Sequence, residues 1–365
     1  MRATLRRATL MMLPAVALSA QTDTIQRQYQ LQKSGDAPAV LTLADAPIRQ
    51  PGDNEVLVRV HAVSLNRRDV YVKLGQYPGP QRPNLVPASD GAGEVTAVGA
   101  KVKRFRKGDR VAAIFFQKWL DGRPKPEHMA SALGGAIDGM LSQYVTLHED
   151  GLVKFPAYLS YEEAATLPCA GVTVWNALVT RGHMQPGDHV LMLGTGGVSI
   201  WGVQLARALG GIPVITSSSD EKLTRAKLLG AVHTINYRTN SDWERVVLEK
   251  SGGVQQVLEV GGTETLPKSL ATLAFGGHIA LIGGLSQFGG EIPSTGLIGR
   301  NATASGIYVG SRADFEALNA FLEKHKLKPA IDRVFEFEDA AAAFDYMDSG
   351  ALFGKVVIRL SPRVE

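Results

Sequence analysis

Across 365 residues the chain has one cysteine, Cys169. A single thiol excludes an intrachain disulfide framework and any zinc lobe built from four cysteines. Long apolar runs are scarce too: beyond residues 1–24 no segment is long enough to cross a bilayer as a helix, so no membrane span is expected. Charge is also thin, with 20% Asp, Glu, Lys and Arg and a formal net charge of +4. Three of the positives, Arg2, Arg6 and Arg7, cluster at the start, and no basic run interleaves with aromatics, so nucleic acid is not an expected partner. The histidines are scattered singly, and no internal repeat is evident. What remains is a soluble mixture with 45% hydrophobic residues and length for two domains.

Residues 1–24 differ from the rest. "MRATLRRATLMMLPAVALSAQ" has arginines without acids, then an apolar Leu10 to Leu18, then small residues at Ser19 and Ala20. That is the layout of an export signal, and Arg6-Arg7 resembles a twin-arginine pair. An organelle presequence and a disordered extension fit as well, so localisation stays open.

From Tyr29 to about Val111, short alternating runs such as "EVLVRVHAVSLN" and "GDRVAAIF" are bounded by Gly, Pro, Asn and Asp, the pattern of a compact β-rich domain. Between Trp119 and Met140 a Gly- and Pro-rich stretch reads as a long surface loop near a site. After Glu162 the texture changes. "HVLMLG", "GIPVITSS", "AVHTIN", "VQQVLEVGG", "HIALIGG" and "TASGIYVG" recur at βα spacing, which implies a doubly wound parallel sheet with helices on both faces. "GKVVIRL" is a final strand expected to return to the first domain.

"VLMLGTGGVSIWGVQLARALGG", from Val190 to Gly211, reads as strand, turn and helix. Gly194 permits the tight turn. Gly196 and Gly197 let backbone N–H groups, with that of Val198, approach a pyrophosphate at the positive end of a helix. Ser199 takes the place of the third glycine of G-x-G-x-x-G and is small enough for close packing. Trp201 rules out a nucleophile elbow, which needs glycine there. The second strand ends in Thr216, Ser217, Ser218 and Ser219 with Lys222 behind, hydroxyls and a cation where a 2′-phosphate would lie, so NADPH is favoured. Asp220 leaves room for NADH. "SSDE" also reads as a capping box with Ser218 at the helix start and Glu221 reaching back.

With these motifs the chain resembles the medium-chain dehydrogenase/reductase superfamily, in its zinc-independent quinone oxidoreductase-like branch. The carriers are "AVSLNRRDVYVKLGQYP", "GAGEVTAVGAKVKRFRKGDRV", "LPCAGVTVWNAL", the glycine turn, "LEVGG", "LIGG" and "GKVVI". The resemblance implies a GroES-like catalytic domain over 25–170 and 315–365 and a Rossmann nucleotide-binding domain over 171–314. It also implies a homodimer joined through "TASGIYVG". Where zinc-dependent members carry their metal ligands, this sequence has Asn66, Ser89-Asp90 and Cys169, and one thiolate plus one carboxylate is short of the usual three ligands, so no zinc is expected. The resemblance further implies Tyr77 in "GQYP" as proton donor and Asn66 as an orienting group near the nicotinamide. Thr173 would face the nicotinamide side and Tyr237 the adenine ribose phosphate, while Gly261 and Gly283 would end strands at the ligand edge. Lys355 either approaches the site or is solvated. Cys169 is read as a small buried hydrophobe, with a redox thiol as the alternative.

The expected activity is NADPH-dependent reduction of small quinones or α,β-unsaturated carbonyls, whose developing charge delocalises and needs no Lewis acid. An alcohol dehydrogenase or carbonyl reductase of the same superfamily and a non-catalytic NADPH-binding protein are the alternatives.

Overall fold

The computed structural model describes residues 25–33, 37–79, 82–287, 291–292 and 294–360. The expected leader therefore lies outside the described residues.

Runs such as "HVLML" are apolar on both faces because helices cover both sides of a parallel sheet. Six such strands pair in parallel. Their spatial order is His233–Asn236, Ile212–Ser217, His189–Leu193, Val254–Glu259, Leu273–Leu281 and Thr303–Gly306. The first strand in sequence is thus central, and the order in which strands are added reverses between His189–Leu193 and Val254–Glu259, which remain parallel. A crevice opens at the carboxyl ends of strands at such a reversal. The glycine turn leaves His189–Leu193 at that point and enters helix Gly197–Ala208, whose Ile200, Val203 and Ala206 are buried as their spacing predicts.

A second, mostly antiparallel sheet is built on Glu55–Leu65. Its path runs Ile331–Glu336, Lys355–Arg359, Glu55–Leu65, Asp90–Val98, Arg110–Ala113 and Leu152–Lys154, and Tyr144–His148 also pairs with Glu55–Leu65. The final strand does return to this early layer, with Val356 opposite Leu65. One continuous core joins the layers: Ala62, Ala92 and Val357 of the second sheet share it with Val190, Met192 and Ile215 of the first.

Two local expectations need correction. The 119–140 stretch is not a surface loop throughout, because it forms a short helix, Pro126–Met129, and buries Leu133 and Met140. The helix cap after the second strand is Ser219, not Ser218: Ser219 Oγ accepts from the Lys222 N–H and helix Asp220–Leu228 begins one residue later.

Candidate active site

Between the sheets lies a cleft of about 1720 Å³, lined by the glycine turn, Ser217 and Ser218 at the end of the second strand and the start of helix Arg67–Lys73. Gly194 has φ +69°, in the left-handed region that disfavours side chains. A Cβ on Gly196 would meet nothing within 4 Å, whereas one on Gly197 would lie 2.6 Å from Lys355 Cδ. The helix begins without a side-chain cap, and Ser199 instead donates to the Leu193 carbonyl at 2.6 Å. Gly196, Gly197 and Val198 thus face the cleft with open space above a helix N-terminus, a cradle that fits a dinucleotide pyrophosphate.

At the end of the second strand Ser217 is buried, and its Oγ accepts from the Ser219 N–H at 3.3 Å. Ser217, Ser218, Lys222 and Tyr237 line the cleft. Lys222 Nζ donates to the Leu352 and Gly350 carbonyls at 3.1 and 3.3 Å, and burial lowers its pKa. Asp220 faces the outer strand, where its carboxylate accepts from Asn236 Nδ2 at 2.9 Å. Thr173 and Gly283 line the cleft as well. Gly261 does not belong to that lining. Its N–H donates at 2.7 Å to the buried Glu259 carboxylate, which also takes Gly262 N–H at 3.1 Å and Thr265 Oγ1 at 2.6 Å, so Gly261 shapes the turn from behind.

Buried charge gathers at the other end. Asn66 precedes helix Arg67–Lys73, its N–H donating to Asp69 Oδ2 at 2.8 Å. Gly354 is held at φ +80°, its N–H donates to the Thr195 carbonyl at 2.9 Å, and a Cβ there would meet Ala330 O at 2.3 Å. This turn stitches the last strand to the glycine turn and drives Lys355 inward. Lys355 is 3% exposed, and its ammonium donates to Asn66 Oδ1 at 2.5 Å and Leu65 O at 2.8 Å. It is a site residue and not a solvated one.

Asp90 is fully buried and accepts from Ser89 Oγ at 2.7 Å and from the Cys169 N–H at 3.1 Å. Burial pushes its carboxyl up, while the Lys355 charge and the polar contacts of Asn66, Ser89 and Cys169 pull it back. Burial, then the Asp90 charge, pushes the Cys169 thiol far above its ordinary range, so as it stands it is held as the neutral thiol and is a poor nucleophile. Among the described residues no three of His, Cys, Asp and Glu group to hold a metal. With an ammonium bonded to Asn66, this donor set does not fit the catalytic zinc of zinc-dependent members.

The segment carrying Cys169 is helical with two π-turns, Leu167–Gly171 and Asn176–Arg181, around Val172–Trp175. Such turns favour functional sites. They set Cys169, Thr173, Asn176 and Thr180 along the cleft.

Tyr77 lines the same end, its hydroxyl 2.6 Å from that of Tyr308. Sequence reasoning missed Tyr308 because it lay inside an expected strand; the strand stops at Gly306. It also missed Arg68, which stacks on Tyr77 and Phe115. A second arginine at the start of a helix whose Val70 and Val72 are buried was its only sign.

Residues 52–157 match the family model of the alcohol dehydrogenase GroES-like domain, and residues 197–324 match that of the zinc-binding dehydrogenase. A zinc-type alcohol dehydrogenase-like protein of Schizosaccharomyces pombe is 46% identical over 314 residues, covering 84% of this chain and 91% of its own. A quinone oxidoreductase of Pseudomonas aeruginosa is 31% identical over 341 residues, covering 88% and 96%. The crystal structure of an NAD-dependent alcohol dehydrogenase superposes with a TM-score of 0.83 at 33% identity, covering 92% of this chain and 100% of that one. The chain belongs to the medium-chain dehydrogenase/reductase superfamily of oxidoreductases, with a GroES-like unit and a parallel-sheet Rossmann unit.

Proposed function

We propose that the protein is a zinc-independent, NADPH-dependent oxidoreductase that reduces quinones or α,β-unsaturated carbonyl compounds. The observation that carries this is the buried Lys355–Asn66 pair beside Asp90 and Cys169, which replaces a metal-binding donor set with a fixed hydrogen-bonded one. In this assignment the amides of Gly194, Gly196, Gly197 and Val198 hold the pyrophosphate, and Ser217, Ser218, Lys222 and Tyr237 surround the ribose phosphate. Thr173 and Gly283 flank the nicotinamide. Bound NADPH supplies a hydride to the conjugated acceptor. Tyr77 donates the proton that neutralises the acceptor oxygen, and Asn66, held by Lys355, orients the substrate. A homodimer would form on the sheet edge at Thr303–Gly306, whose outer side pairs with no other described strand.

Loss of NADPH absorbance, compared with NADH, against a quinone and an enone in parallel tests the assignment. Fast oxidation of NADPH by either acceptor, in protein found metal-free by elemental analysis, is the expected result. Ethanol oxidation by zinc-bearing protein would overturn it in favour of an alcohol dehydrogenase. Tight NADPH binding with no turnover across a broad acceptor panel would overturn it in favour of a binding protein.

A further inference from the structure

The loop after strand Thr303–Gly306 carries strain that the sheets do not require. Val309 has φ +57°, a left-handed conformation that a β-branched residue adopts only under constraint. The constraint is visible. Asn176 Nδ2 donates to the Val309 carbonyl at 2.7 Å, the Val309 side chain is buried, and Ser311 N and Oγ both lie 2.8 Å from Asp314 Oδ2 at the start of helix Arg312–His325. Such strain persists only where the surroundings impose it, and it collects at functional sites. Here it delivers Tyr308, whose ring stands edge-on to Phe116 at 4.8 Å and whose hydroxyl meets that of Tyr77.

Beneath Tyr77 lies a cation. The Arg68 guanidinium is 8% exposed and sits 4.8 Å from the ring centroids of both Tyr77 and Phe115. Its Nη1 donates to Asp69 at 3.2 Å and to the Leu133 carbonyl at 2.9 Å, while buried Nε and Nη2 complete no hydrogen bond among the described residues. Buried donors without partners are rare and call for an explanation. A confined cation with spare donors beside two hydroxyls is suited to an oxygen that gains negative charge.

We propose that Tyr308 and Arg68 complete an oxyanion site around Tyr77, with Tyr308 and Arg68 as positioning residues and Tyr77 as the group that touches the acceptor oxygen. This rests on the proposed reduction for the origin of the charge. Two hydroxyls in contact share one proton between them and keep the other for a ligand. Partial desolvation and the neighbouring Tyr77 hydroxyl hold the Tyr308 hydroxyl above the usual tyrosine range, so Tyr308 keeps its proton and, across the 2.6 Å contact, can donate toward Tyr77. After the hydride electrons have reached the acceptor oxygen, the Tyr77 O–H bond breaks and a new O–H bond forms on that oxygen. The phenolate left on Tyr77 accepts from Tyr308 beside the Arg68 charge until a water in the open cleft returns a proton.

The probe is 4-nitrophenol, whose coloured anion reports its own ionisation. Bound to the full chain, with and without NADP+, it should ionise about one pH unit lower than in free solution, a tenfold shift in its equilibrium. Tyr308→Phe removes one hydroxyl from a side chain open to the cleft and should cut that shift by half or more. Arg68→Met should do the same, and Arg68→Lys, which keeps the charge without the fork, should restore part of it. Thermal melting reports whether each variant folds; if Arg68→Met does not, Tyr308→Phe and Arg68→Lys decide. No binding of the probe, no shift on binding, or an equal shift in wild type and Tyr308→Phe would overturn the proposal. In turnover, Tyr308→Phe should lower kcat about tenfold with the NADPH Kd unchanged. A wild type that shifts the probe but oxidises NADPH with neither acceptor would leave the oxyanion site standing and remove the proposed reaction.

Discussion

The two ends of the cleft are made from different materials. At the glycine turn the surface is backbone: Gly194, Gly196 and Gly197 contribute amides and room, and one segment of chain builds the whole cradle. At the far end the surface is side chain and buried charge, with Arg68, Asp69, Asp90 and Lys355 brought together from two strands and a helix start. A backbone cradle is a local property of the sequence. A charge cluster is a property of the fold, and it makes each member depend on its neighbours for solvation.

That contrast can be broken first at Lys355. Lys355→Met leaves the Asp90 carboxylate buried without its nearby cation, and should cost about 3–5 kcal/mol in urea unfolding. Adding Asp90→Asn should recover much of the loss, and an unchanged stability for the single variant would dissolve the idea of an interdependent cluster. The cradle should behave in the opposite way. Gly196→Asp places a side chain in open space at a helix start that welcomes an acid, so melting should hold steady. Its charge would oppose a phosphate, and NADPH titration should show affinity falling about a hundredfold, near 2.7 kcal/mol.

Asp69 sharpens the comparison through pH. Burial raises its carboxyl from 3.8 to about 6 despite the Arg68 charge. A raised folded value means that the native state holds the extra proton: the contribution is complete below about pH 4 and is lost as pH climbs through 6. Asp69→Asn should therefore gain on the wild type by roughly 1–3 kcal/mol between the bottom and top of that window. Parallel stability curves for the two proteins would contradict it. The smallest effect belongs to Lys222. Lys222→Ala should weaken NADPH about tenfold and leave NADH unaltered, since only the 2′-phosphate calls on the ammonium. Equal losses for both cofactors would mean that Lys222 serves the Gly350 and Leu352 carbonyls it bonds here.

Periodicity and punctuation in the sequence carry much of this architecture. The six βα runs, the glycine turn and the return of "GKVVI" to the early sheet are all written in spacing that hydrophobic burial enforces. Thr173, Ser217, Ser218, Tyr237 and Gly283 line the cleft because strand ends and helix starts put them there. Gly261 shows the limit: a glycine at a strand end serves a ligand or a turn, and only the buried Glu259 tells which. Tyr308 and Arg68 were missed for a related reason. Their roles come from partners far along the chain, Tyr77 and Asn176 for the Tyr308 loop and Phe115 and Leu133 for Arg68, and no local pattern encodes a meeting at such a distance.

The last strand also sets an order of assembly. Lys355 leaves the ribosome only after every strand of the parallel sheet, so the half that carries the glycine turn has all its strands while Asp90 still waits for its counter-charge. Competence for cofactor would precede competence for chemistry in the newborn protein.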